Sequence, residues 1–158
     1  MKLKKMKSNF RIVVTGLICI LSVGAFAQTN GKDYAEITIY RAKQGTMSGA
    51  TMMDAKIKMN EKEIGSVLNA TKLKYKIYSE GSVKIACIGM IAGGPIGKPY
   101  VTTIAVKKGE EYHIALTLSN MSGVSGIIMG EKELKKMEKE KFVDQTELEE
   151  DKANPVIK

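Results

Sequence analysis

The stretch "KLKYKIYSEGSVKIACI", Lys72 to Ile88, decides the fold. Its first half sets Leu73, Tyr75 and Ile77 at alternate positions, with Lys72, Lys74 and Lys76 between them. Its second half sets Val83, Ile85 and Cys87 at the same spacing. A period of two is that of a strand with one face buried and one in water. The polar break Ser79-Glu80-Gly81-Ser82 between the halves has the composition of a turn. The stretch therefore predicts a hairpin whose apolar side faces a core and whose lysine side faces solvent.

The same period continues in both directions. Upstream, "AEITIYR" places Ala35, Ile37 and Ile39 on one face, and "DAKIKMN" does the same with Ala55, Ile57 and Met59. A short "EIGSVL" follows across Asn60-Glu61-Lys62. Downstream, "YVTTIAV" and "YHIALTL" are separated by Lys107-Lys108-Gly109-Glu110. Seven such segments joined by glycine-bearing turns predict an all-β domain over residues 34–130. The expected form is a single seven-stranded antiparallel β-sandwich of Ig-like or prealbumin-like type. "GEKELKKMEKEK" then carries Glu131 and Glu133 early and Lys135, Lys136, Lys139 and Lys141 late, matching the helix dipole. It predicts a short surface helix opening a charged segment, 131–158, whose acidic end is expected to be frayed.

Three of these stretches, "AEITIYRAKQ", "IKMNEKEIGSVLNATKLKYKIYSEGSVKI" and "KKGEEYHIAL", together resemble the small exported bacterial domains grouped as domain of unknown function 2846. The likeness covers roughly Tyr34 to Leu118. It departs where Glu80-Gly81 stands in place of Pro-Gly and where a glycine-rich insertion follows Ile88. The resemblance implies a β-sandwich of the cell envelope and brings no activity with it.

The leader "MKLKKMKSNFRIVVTGLICILSVGAFAQ" carries Lys2, Lys4, Lys5, Lys7 and Arg11, then an apolar run that closes on Ala25-Phe26-Ala27. This is the pattern of an export signal, residues 1–27, cut after Ala27. It predicts a periplasmic or secreted protein, with lipidation at Cys19 as the alternative. Removing the five leader cations from the 25 Lys and Arg leaves 20 against 17 acids, so the formal +8 falls to +3. The basic balance thus belongs largely to export and not to nucleic acid. Cys87 remains as the one cysteine after the leader, which excludes an internal disulfide.

If chain direction reverses at each link, the connections sort onto two ends. One end receives short polar turns. The other receives Ala42–Met53, Leu68–Thr71, Gly89–Pro99 and Ser119–Gly130, rich in methionine and glycine, including Met47, Met52, Met53, Met90, Met121 and Met129. Methionine adapts to varied partners and glycine frees the backbone. This end is the expected contact surface, with Met90, Ile91, Ile96 and Ile128 as anchors; the competing reading folds the same residues inward as a lid. A second candidate is a basic face of Lys56, Lys58, Lys72, Lys74, Lys76 and Lys84, suited to anionic polymers or lipid head groups. Ordinary protection of a sheet surface would explain it as well. No aromatic stripe accompanies these lysines, which disfavours nucleic acid.

His113 has no second histidine to share a metal with, and Cys87 lies on the core phase. A phosphate-loop reading of Gly89, Gly93, Gly94 and Gly97 fails on spacing. The residues point to no cofactor, no small-molecule substrate and no catalysis. The expected partner is an envelope protein or a membrane surface. A hydrolase would need His113 in a cleft beside a carboxylate.

Overall fold

A computed structural model describes residues 31–45, 52–119 and 122–157. The chain is mostly β: β1 (Ala35–Arg41), β2 (Asp54–Met59), β3 (Lys62–Val67), β4 (Thr71–Ile77), β5 (Gly81–Ile91), β6 (Gly94–Val106), β7 (Glu111–Ser119), β8 (Gly123–Ile128) and β9 (Asp144–Glu149). One helix, α1 (Glu131–Met137), precedes the last strand. The strands form one nine-stranded sheet in the order β3-β2-β5-β6-β8-β7-β1-β4-β9. Its two halves, β3-β2-β5-β6 and β8-β7-β1-β4-β9, meet through the single pair Lys98–Gly123.

The sheet curls until its first strand lies over its last two. A Cβ built on Gly65 of β3 would stand 3.2 Å from a Leu73 methyl of β4 and 3.4 Å from a Leu148 methyl of β9. The inward positions of both halves meet in one core, in which Ile37, Ile39, Ile57, Leu73, Ile85 and Ile114 have almost no exposure. These are the residues that the alternation places inward. The leader and Cys19 lie outside the described residues.

The strand count and pairing differ from a seven-stranded antiparallel arrangement. β1 runs parallel to β7, β4 to β9, and β6 to β8. β8 comes from "GVSGII", whose glycines break the alternation a strand search relies on. Gly126 is needed because a Cβ there would sit 2.8 Å from the Tyr100 ring. The segment after the helix is not frayed. β9 pairs along β4 from Thr71–Asp144 to Lys76–Glu149, and Val156 beyond it is buried in the core.

Following the pairings, β1, β3, β5 and β7 run one way, and β2, β4, β6 and β8 the other. The described chain enters beside Gly109, whose N–H donates to the Tyr34 carbonyl at 2.9 Å. We call this the proximal end, and the end where β1 finishes the distal end. Each is closed by a buried charge. Distally, Arg41 has no exposure, and its Nη1 donates to the carbonyls of Met53 and, at 3.4 Å, Val67. Proximally, the Glu150 carboxylate accepts from Tyr78 N at 2.7 Å, Ser79 N at 3.2 Å and Val156 N at 2.6 Å. Burial alone would raise the pKa of Glu150; the hydrogen bonds from Val156, Tyr78 and Ser79 outweigh it and hold the group below its ordinary value.

Arg41→Met leaves two main-chain carbonyls short of a donor and should cost about 1–3 kcal/mol in urea unfolding. Glu150→Gln should also destabilise, with a pH signature. A depressed folded pKa gives stability above the unfolded value, about 4.3, and loses it as pH falls through the folded value. Melting curves of wild type and Glu150→Gln should therefore differ fully at neutral pH and converge in acid. A gap unchanged down to strongly acidic pH would exclude the charge as its source.

Candidate contact surface

The insertion after Ile88 is a continuation of the β5–β6 hairpin. Met90 pairs with Pro95 and Ile91 with Gly94 around a two-residue turn, Ala92-Gly93. Its glycines answer to geometry. Gly97 (φ +64°) and Gly123 (φ +86°) lie backbone to backbone, so a side chain on either would collide with the other strand. That close approach makes the junction between the two halves of the sheet. The residues expected to form a pliable rim thus include the tightest backbone contact described.

Three of the four expected anchors come together. Met90 is half-buried, Ile91 is 43% exposed, and Ile96 packs against the core. Ile128 stands apart, opposite Ile114 and five residues along β8 from Gly123, or about 16 Å away. Of the methionines, Met53 and Met129 are buried, and Met47 and Met121 lie outside the described residues. The distal end is nevertheless apolar through other residues. Met52 (90% exposed), Val143 (84%) and Leu68 (56%) stand there on connections, and Ile91 stands at the hairpin tip of the same end. Val143 is fixed at this end because its N–H donates to the Ala70 carbonyl at 2.7 Å. Sequence reading passed over Leu68 and Val143, whose only signal was an apolar residue within a polar connection.

The six lysines do not form one face. Lys72, Lys74 and Lys76 stand on β4, while Lys56 and Lys58 on β2 and Lys84 on β5 belong to the other half of the sheet. Acids interleave with both sets: Lys74–Glu36 at 3.2 Å, Lys76–Glu149 at 2.8 Å, Lys56–Glu63 at 3.1 Å and Lys84–Glu61 at 3.5 Å. Lys72 lies over the Phe142 ring, 5.7 Å from its centre. Each surface is therefore of mixed sign.

His113 is half-buried on the outer face of β7. Its Nδ1 lies 3.2 Å from the Tyr40 hydroxyl, and its Nε2 lies 4.0 Å from Glu111. Burial lowers its pKa, and Glu111 opposes that. Glu111 is itself held by Lys32 at 2.7 Å. Burial raises the pKa of the Tyr40 phenol, which makes it a poorer nucleophile. A separate groove of about 390 Å³ runs between α1 and the outer face of β7 and β8, walled by Ile127 and Met137. Among the described residues no cluster of three His, Cys, Asp or Glu could hold a metal ion, and no helix is long and apolar enough to cross a membrane.

The chain matches no family model, no curated protein and no solved structure.

Cys87 is fully buried, and burial pushes its thiol up to about 12. Because the thiolate is the reactive form, alkylation mapped to Cys87 should be negligible in the native protein. It should rise in step with unfolding in urea. Rapid native labelling would show that β5 opens locally.

Proposed function

We propose that the protein is an exported, non-catalytic contact module of the cell envelope, docking on another protein through its distal end. One observation carries the reading: Met52, Leu68, Ile91 and Val143 leave large apolar side chains in water at that end. The proximal end has the polar turns Asn60–Glu61, Ser79–Glu80 and Lys107–Glu110, with the docked C-terminal segment against them. A contiguous exposed apolar patch marks an interaction site, and four large apolar side chains exposed at one end supply the material for one. A protein partner fits better than an anionic lipid surface because the lysines that would meet head groups are interleaved with acids, Lys56 with Glu63, Lys74 with Glu36, Lys76 with Glu149 and Lys84 with Glu61. The two halves of the sheet, packed over one core, act in this reading as the layers of a sandwich, in keeping with the likeness to domain of unknown function 2846.

The test uses photo-crosslinking side chains at Leu68 and Ile91, with Glu80 and Lys108 as proximal controls. A discrete adduct should form from the distal positions only. Ile91→Asp with Leu68→Asp should abolish it with little change in melting, since exposed substitutions usually stay within about 0.5 kcal/mol. Ile96→Asp should instead lower stability outright. Equal adducts from both ends, or salt-sensitive binding to anionic vesicles in their place, would sink the proposal.

A further inference from the structure

We infer that the free edge of β6 is a strand-addition site for an extended polypeptide segment that is uncharged through its middle and acidic at its ends. β6 pairs with β5 along its length, but meets β8 only at Lys98–Gly123. Beyond that pair no further main-chain pairing joins the two strands among the described residues, although the Tyr100 ring of β6 lies against Gly126 of β8 and Tyr112 reaches Ala105.

Hydrogen bonds identify which groups line this edge. The main-chain N–H of Lys84 donates to Asn60 Oδ1 at 2.8 Å, and its carbonyl accepts from Asn60 N at 2.9 Å. Lys84 on β5 thus faces β2, so its neighbours Val83 and Ile85 face β6 and bond the residues opposite them, Ile104 and Thr102. The intervening residues of β6 must then point the other way. Tyr112 confirms the phase: its hydroxyl lies 2.7 Å from the Ala105 carbonyl and 2.5 Å from Glu110 Oε2, between which its one proton is shared, and it accepts from Lys107 N at 3.1 Å. Val101 and Thr103 therefore present both main-chain groups to the open side, and their side chains are exposed.

The chemistry along the edge is unusual for this chain. From Tyr100 to Val106 there is no charge, no proline and no glycine. The terminal strands of the sheet are protected by comparison: β3 carries Lys62, Glu63 and a bulge, and β9 carries Asp144, Glu147 and Glu149. Charges of that kind block unwanted pairing, and an uncharged β-branched edge invites it. Ile128 adds an apolar wall. It lies opposite fully buried Ile114 on the core-facing phase, yet is 49% exposed, five residues along β8 from the one pair with β6.

The flanks select the occupant. Lys98 stands at one end of the window and Lys107 and Lys108 at the other. Glu80 there accepts from Lys108 N at 2.9 Å and Glu110 meets the Tyr112 hydroxyl at 2.5 Å, and neither is ion-paired to a flanking lysine. Acids at both ends of an added strand are therefore favoured. The same lysines oppose a second copy. Self-pairing centred on Thr103 sets Lys98 against Lys108, and centred on Val101 it sets Thr103 against Pro99, which has no N–H to give. Strand addition of this kind draws its affinity from main-chain hydrogen bonds and its specificity from side chains.

Amide exchange of the full chain tests this with two synthetic peptides. Both alternate threonine and valine; one ends in paired glutamates, the other in paired lysines. In the free protein the Val101 and Thr103 amides should exchange quickly while those facing β5 are protected. The glutamate-ended peptide should slow Val101 and Thr103 by about tenfold or more, and the lysine-ended one should do so far less. Thr103→Pro should abolish the effect while keeping the β5 ladder. Val101→Lys with Thr103→Lys serves the same purpose should the proline variant not fold. Native protection of both amides in a monomer would overturn the inference, as would equal protection by the two peptides. Protection that grows with protein concentration alongside a dimer mass would assign the edge to a second copy and overturn it too.

Discussion

A sheet that curls over its own first strand must close two open ends, and the buried guanidinium of Arg41 is how this chain closes the distal one. The carbonyls of Met53 and Val67 point into the buried interior, where an unpaired carbonyl is costly. Arginine can reach from β1 to both, and both belong to the half of the sheet that β1 is not in. Burial penalises the charge, and Asp54 nearby offsets part of that penalty. The proximal end is closed with the opposite sign and by a longer segment, since Glu150 gathers N–H groups from the β4–β5 turn and from the tail. The tail then covers the proximal turns. No comparable segment is described over the distal end, so its apolar side chains stay in water. The asymmetry between the ends follows from how each is closed.

What the sequence revealed and what it hid divide along a physical line. A strand that buries one face against the core must alternate, so β1, β2, β4, β5 and β7 were legible. β9 buries almost nothing. Its one partly buried apolar residue is Leu148, and it is held by main-chain pairing to β4, which leaves no mark on side-chain periodicity. β8 hides for another reason, because Gly126 gives up its side chain to seat Tyr100. Arg41 was visible but went unread. It continues the series Ala35, Ile37, Ile39, and an arginine on an inward phase has to be either an error of phase or a buried charge with partners.

The candidate surface was legible to a similar degree. Reversal of direction sorts the links before β2, between β3 and β4, and between β5 and β6 onto the distal end, as the turns implied. Ser119–Gly130, however, is not one connection: β8 carries it back, and Ile128 and Met129 lie beside Ile114 and His113 toward the proximal end. Which residues within the distal connections face water was not legible, because loops lack a period. Met53 turned inward at the distal end, where an unbranched side chain fits the irregular end of a curled sheet, and Met129 is buried toward the opposite end, beside His113. The lysines were read correctly as outward, yet their division between two surfaces depends on the long-range order of strands. Their pairing with Glu36, Glu63 and Glu149 depends on register, which no single strand encodes.

The open side of β6 arises from the same curl. Two halves joined by one parallel pair must separate below it, because each twists about its own strands. The junction is possible only where glycine allows backbones to touch, at Gly97 and Gly123. Below it the gap is filled from the core side by tyrosines: Tyr100 lies on Gly126, and Tyr112 reaches Ala105 from β7. Those rings satisfy the core, and the Tyr112 hydroxyl satisfies one edge carbonyl, but neither accounts for the uncharged run from Tyr100 to Val106. A structural role alone would be served as well, and more safely, by a lysine at Val101 or Thr103, the device seen at the neighbouring outward position, Lys84 on β5. Keeping charge off the edge while setting lysines at both of its ends gives an edge that repels its own copies yet still accepts a strand of the opposite sign.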